Sequence, residues 1–435
     1  MNYISKKQHI INWLFFKNEE RSIFRKAFRV FIFTLPAYMA NLGLLYLAPR
    51  LVNGETFGIF FLSNTIINWM FAPAIIISMY LLRDITNPQK IQEAGSLPLM
   101  AKKIINLVAK WSMIVMLTLG ALSFFLAYMI GISSLYLIPL IFLIISLAYV
   151  GESFRVYFQA AESFWLLGSL NMSWMVTRFM LGSSGLYLFQ TAWGGLLGIS
   201  LALSMVFFAY YQKFIRVHNK YTALEHDYRY HPPTIIAMLP GILSYSTLIL
   251  ACNIDIIIGY FVLDSSMLGI YSASSVLAKA ILVLSFPLTH SIYPVLLTNK
   301  NQSITNNWLI FFKGLLLTSL IAGTVILLLY SFSWLVCSSD YGIKGCNNEI
   351  YRILLIPPFF LFLIVYLSLH SFSSGNDWFP LLLCIPIAIY IITCFVYVHD
   401  IRMLSQSFAI FSTSICFLYL VFVVSSGRNA IQSTT

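Results

Sequence analysis

Three ionisable residues, Arg178, Asp255 and Lys279, interrupt long apolar stretches of a chain that is 59% hydrophobic and only 9% charged. At the centre of a membrane-spanning helix each costs about 2.5–3.5 kcal/mol on insertion scales, so none is expected to face lipid. Their places are a protein interior or a water-filled cavity. Two cations against one acid suit an anionic ligand such as a phosphate or pyrophosphate, for which a guanidinium offers a fork of paired donors. Asp255 is the candidate for charge balance or for a coupling ion, because a carboxylate beside a movable cation can hold a proton or a sodium ion. A purely structural ion pair with Lys279 or Arg178 accounts for it as well.

Neutral polar residues extend these three points into stripes. Asn171, Trp174 and Arg178 recur at helical spacing, followed by Gly182 and Gly185, which are small enough to leave space beside the arginine. Lys279 follows Ser272 and Ser275, with His290 further along about the same side, and Asn64 and Asn68 form an i,i+4 pair with Asn41 on the preceding apolar run. Together, Arg178, Lys279, Asn171, Asn64, Asn68, Asn41 and Ser275 predict a wet, positively biased cavity. The alternative is that the Asn and Ser side chains glue helices together. Glu152 and Arg155, at i,i+3, are expected to form a local salt bridge.

The elements that must position these residues are membrane spans. Apolar runs of about 20 residues recur along the chain, each able to cross roughly 30 Å of hydrocarbon as a helix, whereas a spanning barrel would show shorter segments of alternating polarity. The expected spans are 28–49, 57–82, 104–130, 135–157, 164–188, 192–214, 234–262, 267–294, 307–336, 350–372, 378–398 and 403–425. The fold class is thus an all-α integral membrane protein of about twelve transmembrane helices. Alternate loops carry the cations: the N-terminal arm, the segment from Arg83 to Lys110, and the segment from Lys213 to Arg229. That bias places both termini in the cytoplasm. It also explains the net charge of +11 without nucleic acid. The division that follows is a basic arm at 1–27 with an interfacial helix against membrane lipids, helical lobes at 28–214 and 234–425, a linker at 215–233, and a tail at 426–435.

The two halves begin alike. Leu35-Pro36, then Gly58-Ile59-Phe60 with Ser63, then Pro73, are matched by Leu239-Pro240, Gly269-Ile270-Tyr271 with Ser274, and Pro287. Parallel repeats of this kind are related by an axis along the membrane normal, so two pseudo-symmetric lobes of about six helices each would meet at a central cavity. Cys337 and Cys346 flank the one sizeable outer loop and are candidates for a disulfide if that loop faces an oxidising compartment. No Walker-type phosphate loop or dinucleotide glycine pattern occurs, and His226 and His231 stand without ligand partners at metal spacing, so neither cofactor, metal nor catalytic residue is expected.

Several stretches resemble O-antigen-type flippases of the polysaccharide-export family, within the multidrug/oligosaccharidyl-lipid/polysaccharide (MOP) exporter superfamily. They are Phe33-Thr34-Leu35-Pro36, the turn from Glu55 to Phe60, the segment from Asn253-Ile254-Asp255 through Leu268-Gly269-Ile270-Tyr271 to Tyr293-Pro294, and Asp340-Tyr341-Gly342 before Arg352-Ile353-Leu354. The resemblance implies a MATE-like bundle of two lobes working by alternating access in the bacterial inner membrane. The implied cargo is an undecaprenyl-pyrophosphate-linked oligosaccharide for surface polysaccharide, with a polysaccharide polymerase and a chain-length regulator as partners. It transfers no site residue. Two rival readings are a drug or cation antiporter of the same superfamily, which would need acids in the cavity, and a polytopic polymerase or glycosyltransferase, which would need a larger hydrophilic domain with acids for sugar chemistry.

Overall fold

The structure is a computed structural model and describes residues 36–85, 88–93, 96–130, 137–161, 163–218, 235–279, 282, 304–337, 346–374 and 379–432. The basic arm, His226, His231, Pro287, His290 and Asp340-Tyr341-Gly342 lie outside the described residues.

In hydrocarbon every backbone donor and acceptor must be satisfied within the segment itself, so apolar runs of this length fold as helices. The principal helices among the described residues are α1 (36–51), α2 (Gly54–Ile85), α3 (Leu97–Ile130), α4 (Leu137–Ala160), α5 (Phe164–Phe189), α6 (Ala192–His218), α7 (Ile235–Val262), α8 (Ser265–Ala278), α9 (Ile304–Ser331), α10 (Ile356–Ser374), α11 (Cys384–Tyr397) and α12 (Ile401–Gln432). Among the described residues their positions follow the expected spans, while 28–35 of the first span and 283–294 of the eighth lie outside those residues. Among the described residues eight segments, in α2, α3, α4, α6, α7, α10, α11 and α12, are long and apolar enough to cross a membrane. The 26-residue α5 is not among them, since Asn171, Arg178 and its serines lower its hydropathy. Large apolar side chains such as Phe208, Ile236, Leu327, Ile385 and Phe417 are exposed on the bundle's outside, as lipid contact requires.

One hydrophobic core runs through both halves, from Leu44 and Phe60 to Leu248, Tyr271, Phe362 and Phe408. A second, within the first half, gathers Ile85, Met100, Phe154, Tyr157, Tyr210 and Phe214. The helix α2 joins the halves. Its start meets the start of α8, where a Cβ on Gly269 would strike the Gly54 carbonyl and one on Gly58 would lie 3.3 Å from the Gly269 nitrogen. Near its other end Tyr80 donates to the Ala237 carbonyl at 3.4 Å.

The α5–α6 hairpin turns at Gln190, which adopts a left-handed conformation (φ 54°) and donates its N–H to the Leu186 carbonyl. This turn lays the two helices in contact. A Cβ at Gly185 would enter the Gly194 carbonyl, and one at Gly198 the Leu181 carbonyl. Gly182 and Gly185 therefore do not open space beside Arg178 as the sequence suggested. They admit neighbouring helices, with Gly182 packed on Leu44 and Ile199. Gly198→Val is expected to push α6 off α5 and destabilise the protein by about 1–3 kcal/mol. An unchanged thermal midpoint in detergent would contradict this packing. Cys337 and Cys346 are joined in a disulfide, and the Glu152–Arg155 salt bridge forms at 3.2 Å.

Candidate functional site

Helices from both halves form a cavity of about 80 Å³ lined by Asn41, Leu42 and Leu45 of α1, Phe61, Asn64, Thr65 and Asn68 of α2, Arg178 of α5, Asn253 of α7, and Val276 and Lys279 at the end of α8. That volume has room for several waters. At 1.5 Å per residue, Asn41, Asn64, Arg178, Asn253 and Lys279 all lie roughly 14–21 Å from the end at which α1 meets α2, or about halfway through a hydrocarbon core. Five of the residues expected in a shared cavity, Arg178, Lys279, Asn64, Asn68 and Asn41, come together there.

The two cations are held differently. Arg178 is 8% exposed. Its Nη2 donates to Asn64 Oδ1 at 2.6 Å, its guanidinium lies 5.7 Å from the Trp174 ring centroid, and its Nε has no partner among the described residues. Among the described residues no carboxylate pairs with it. Asn64 is fixed in turn by its own amide nitrogen, which donates to the Phe60 carbonyl at 3.0 Å. Lys279, also 8% exposed, donates to Asp255 Oδ1 at 2.6 Å and lies 5.4 Å from the Phe408 ring centroid.

Asp255 is fully buried and accepts a second hydrogen bond, at 2.8 Å, from the Tyr271 hydroxyl. It is not among the residues lining the cavity. Asn253 and Asp255 are two residues apart, roughly 200° around a helix, so α7 turns the amide to the cavity and the acid into the second half. The ion pair is neutral as a unit, which leaves the Arg178 guanidinium as the uncompensated charge in the lining. An anion approaching its Nε–Nη2 edge would meet one free donor and one occupied by the neutral oxygen of Asn64, which a phosphoryl oxygen could replace.

Two expected cavity residues are not in the lining. Asn171 shares a helix face with Arg178 but lies two turns away, about 10 Å along α5 and beyond the cavity. Ser275 is wholly buried with its hydroxyl unpartnered. Lys279 reaches the cavity with a long side chain, whereas the serine one turn earlier is too short. Asn253 and Thr65 were not anticipated. Asn253 carried a legible signal, a side-chain amide in an otherwise apolar run, while Thr65 carried none that separates it from an ordinary helix threonine. Among the described residues no cluster of three metal-ligating side chains occurs.

No family profile and no curated protein sequence matches this chain. Solved structures do. A MATE protein in a straight conformation superposes with a TM-score of 0.68 at 12% identity, covering 94% of this chain and 97% of the other. A mutant of the Vibrio cholerae MATE transporter VcmN gives 0.64 at 15% identity over 94% and 98%. An outward-facing multidrug resistance MATE family transporter of the MOP superfamily gives 0.68 at 14% identity over 94% and 96%. None of these three is described as handling a lipid-linked sugar, so the narrower resemblance to O-antigen-type flippases rests on sequence patterns alone. At this identity the likeness establishes the architecture: the chain is an all-α, multi-pass membrane protein with a MATE-like fold.

Proposed function

We propose that the protein is a transporter that moves an anionic head group across the membrane by alternating access, and that the cargo is an undecaprenyl-pyrophosphate-linked oligosaccharide. One observation carries this reading: Arg178, buried and without a counter-ion among the described residues, faces a mid-depth cavity built by both halves and lined by Asn41, Asn64, Asn68 and Asn253. A doubly charged head cannot cross hydrocarbon unaided. A polar chamber opening alternately to either side removes most of that barrier while the lipid tail stays in the bilayer.

A drug or cation antiporter is the second reading. The similar structures support it more directly, since one is named for multidrug resistance, and Asp255 supplies a buried acid. Against it, that acid is already paired and stands behind the lining. Deletion of the gene separates the two. Build-up of complete single lipid-linked repeats on the inner leaflet supports the flippase, and raised sensitivity to toxic cations with normal surface polysaccharide overturns it. Bacterial inner-membrane placement with cytoplasmic termini, and cooperation with a polymerase and chain-length regulator, belong to the same proposal.

A further inference from the structure

The amides that line the cavity differ in what they have left to offer. Asn253 donates its Nδ2 to the Ile249 carbonyl one turn back on α7, at 3.0 Å, as Asn64 does to the Phe60 carbonyl on α2. Such a back-bond fixes which way each amide points, with the nitrogen on its own helix and Oδ1 turned away from it. Asn64 spends that oxygen on Arg178. Asn253 Oδ1 accepts no hydrogen bond among the described residues, so the second half presents a bare acceptor to the cavity. An amide that glued helices together would spend it on a neighbouring helix. We propose that Asn253 is a specificity-determining residue that separates a sugar-bearing phosphate from a bare one, by accepting a hydrogen bond from the group attached to the phosphate that Arg178 holds. The inference rests on the anionic-cargo reading and deepens it from the charge of the head to what the head carries.

The two walls of the cavity ask for opposite partners. Arg178, in the first half, has an unused donor at Nε, which a phosphoryl oxygen fills. In the second half the cation, Lys279, is already committed to Asp255, and what stands open is the Asn253 oxygen. A prenyl chain or a deprotonated phosphate has no donor to give it. Asn41 adds a second such demand, since its Oδ1 is buried and has no partner among the described residues, and a buried acceptor costs free energy until a donor is supplied. Sugar hydroxyls are donors of this kind, held a few bonds from the phosphate that carries the sugar. A cavity with room for several waters takes the phosphate and the groups next to it, not a whole repeat, so it reads the junction with the first sugar. Because Arg178 and Asn253 belong to different halves, a loaded head satisfies both walls at once and an unloaded head only the first.

The test is titration calorimetry of the purified full chain with two probes of equal charge: farnesyl diphosphate esterified on its terminal phosphate with glucose, and the same diphosphate esterified there with methanol. The wild type should bind the glucosyl ester about tenfold or more tightly than the methyl ester, because only the first brings donors to the unfilled acceptors. Asn253→Leu keeps a side chain of similar shape without the acceptor, and it should bring the two esters to within about twofold of each other by weakening the glucosyl ester. The ratio is the readout, since a general loss of packing would weaken both esters alike. Where Asn253→Leu does not fold, Asn253→Ala serves, with the same expected ratio. No preference of the wild type for the glucosyl ester, or the full preference retained in the variant, overturns the role of Asn253 while sparing the anionic-cargo reading. Absence of binding of either ester to the wild type overturns that reading itself.

Discussion

Replacing Arg178 with glutamine is expected to abolish the proposed transport without loss of the protein from the membrane. Truncating a buried, hydrogen-bonded charge that meets an anionic partner costs about 2–5 kcal/mol of binding, which is roughly thirtyfold or more in affinity. The direction for stability is the opposite. Arg178 is buried and pairs with no carboxylate among the described residues, so its removal relieves an unpaid desolvation and should leave the fold unchanged or more stable by about 0.5–2 kcal/mol. Arg178→Lys keeps the charge but not the fork and is expected to fall between wild type and glutamine. Accumulation of the inner-leaflet intermediate and the thermal midpoint of the same preparations give both signs. A variant that transports normally would remove Arg178 from the site.

The second large effect falls on stability. Asp255→Ala strands the Lys279 ammonium in a buried setting beside Phe408 and is expected to cost about 3–5 kcal/mol. Asp255→Asn/Lys279→Met removes both charges together, and most of that loss should return because a buried pair replaced by neutral groups of similar volume is often no less stable. Thermal unfolding of the single and double variants in detergent decides it. Equal destabilisation in both would mean that Asp255 is held by something other than Lys279.

Much of this arrangement was legible in the sequence, for a reason that can be named. Lipid forces helices, and it forces Arg178, Asp255 and Lys279 inward, so depth in an apolar run located them before any fold was known. The convergence of Asn41, Asn64 and Asn68 on Arg178 follows from the same constraint. What remained hidden depends on the rotation and reach of individual side chains. Asn253 and Asp255 lie two residues apart yet serve a cavity and a buried pair respectively. Lys279 reaches where Ser275 cannot. Gly182 and Gly185 read as empty space beside an arginine, but a glycine face is equally a docking face, and α1 and α6 occupy it. The ion pair foreseen as the plainer role for Asp255 is formed, and it coexists with a cavity whose charge comes from Arg178.

Whether the mid-depth chamber admits water and is made positive by Arg178 can be probed directly. In a background lacking the free cysteines at 252, 384, 394 and 416, Asn68→Cys should react faster with a sulfonated, anionic thiosulfonate reagent than with its trimethylammonium counterpart, and Arg178→Gln in the same background should erase the preference. If neither reagent reacts, or if the cationic one reacts faster and the arginine exchange has no effect, the positive chamber does not exist.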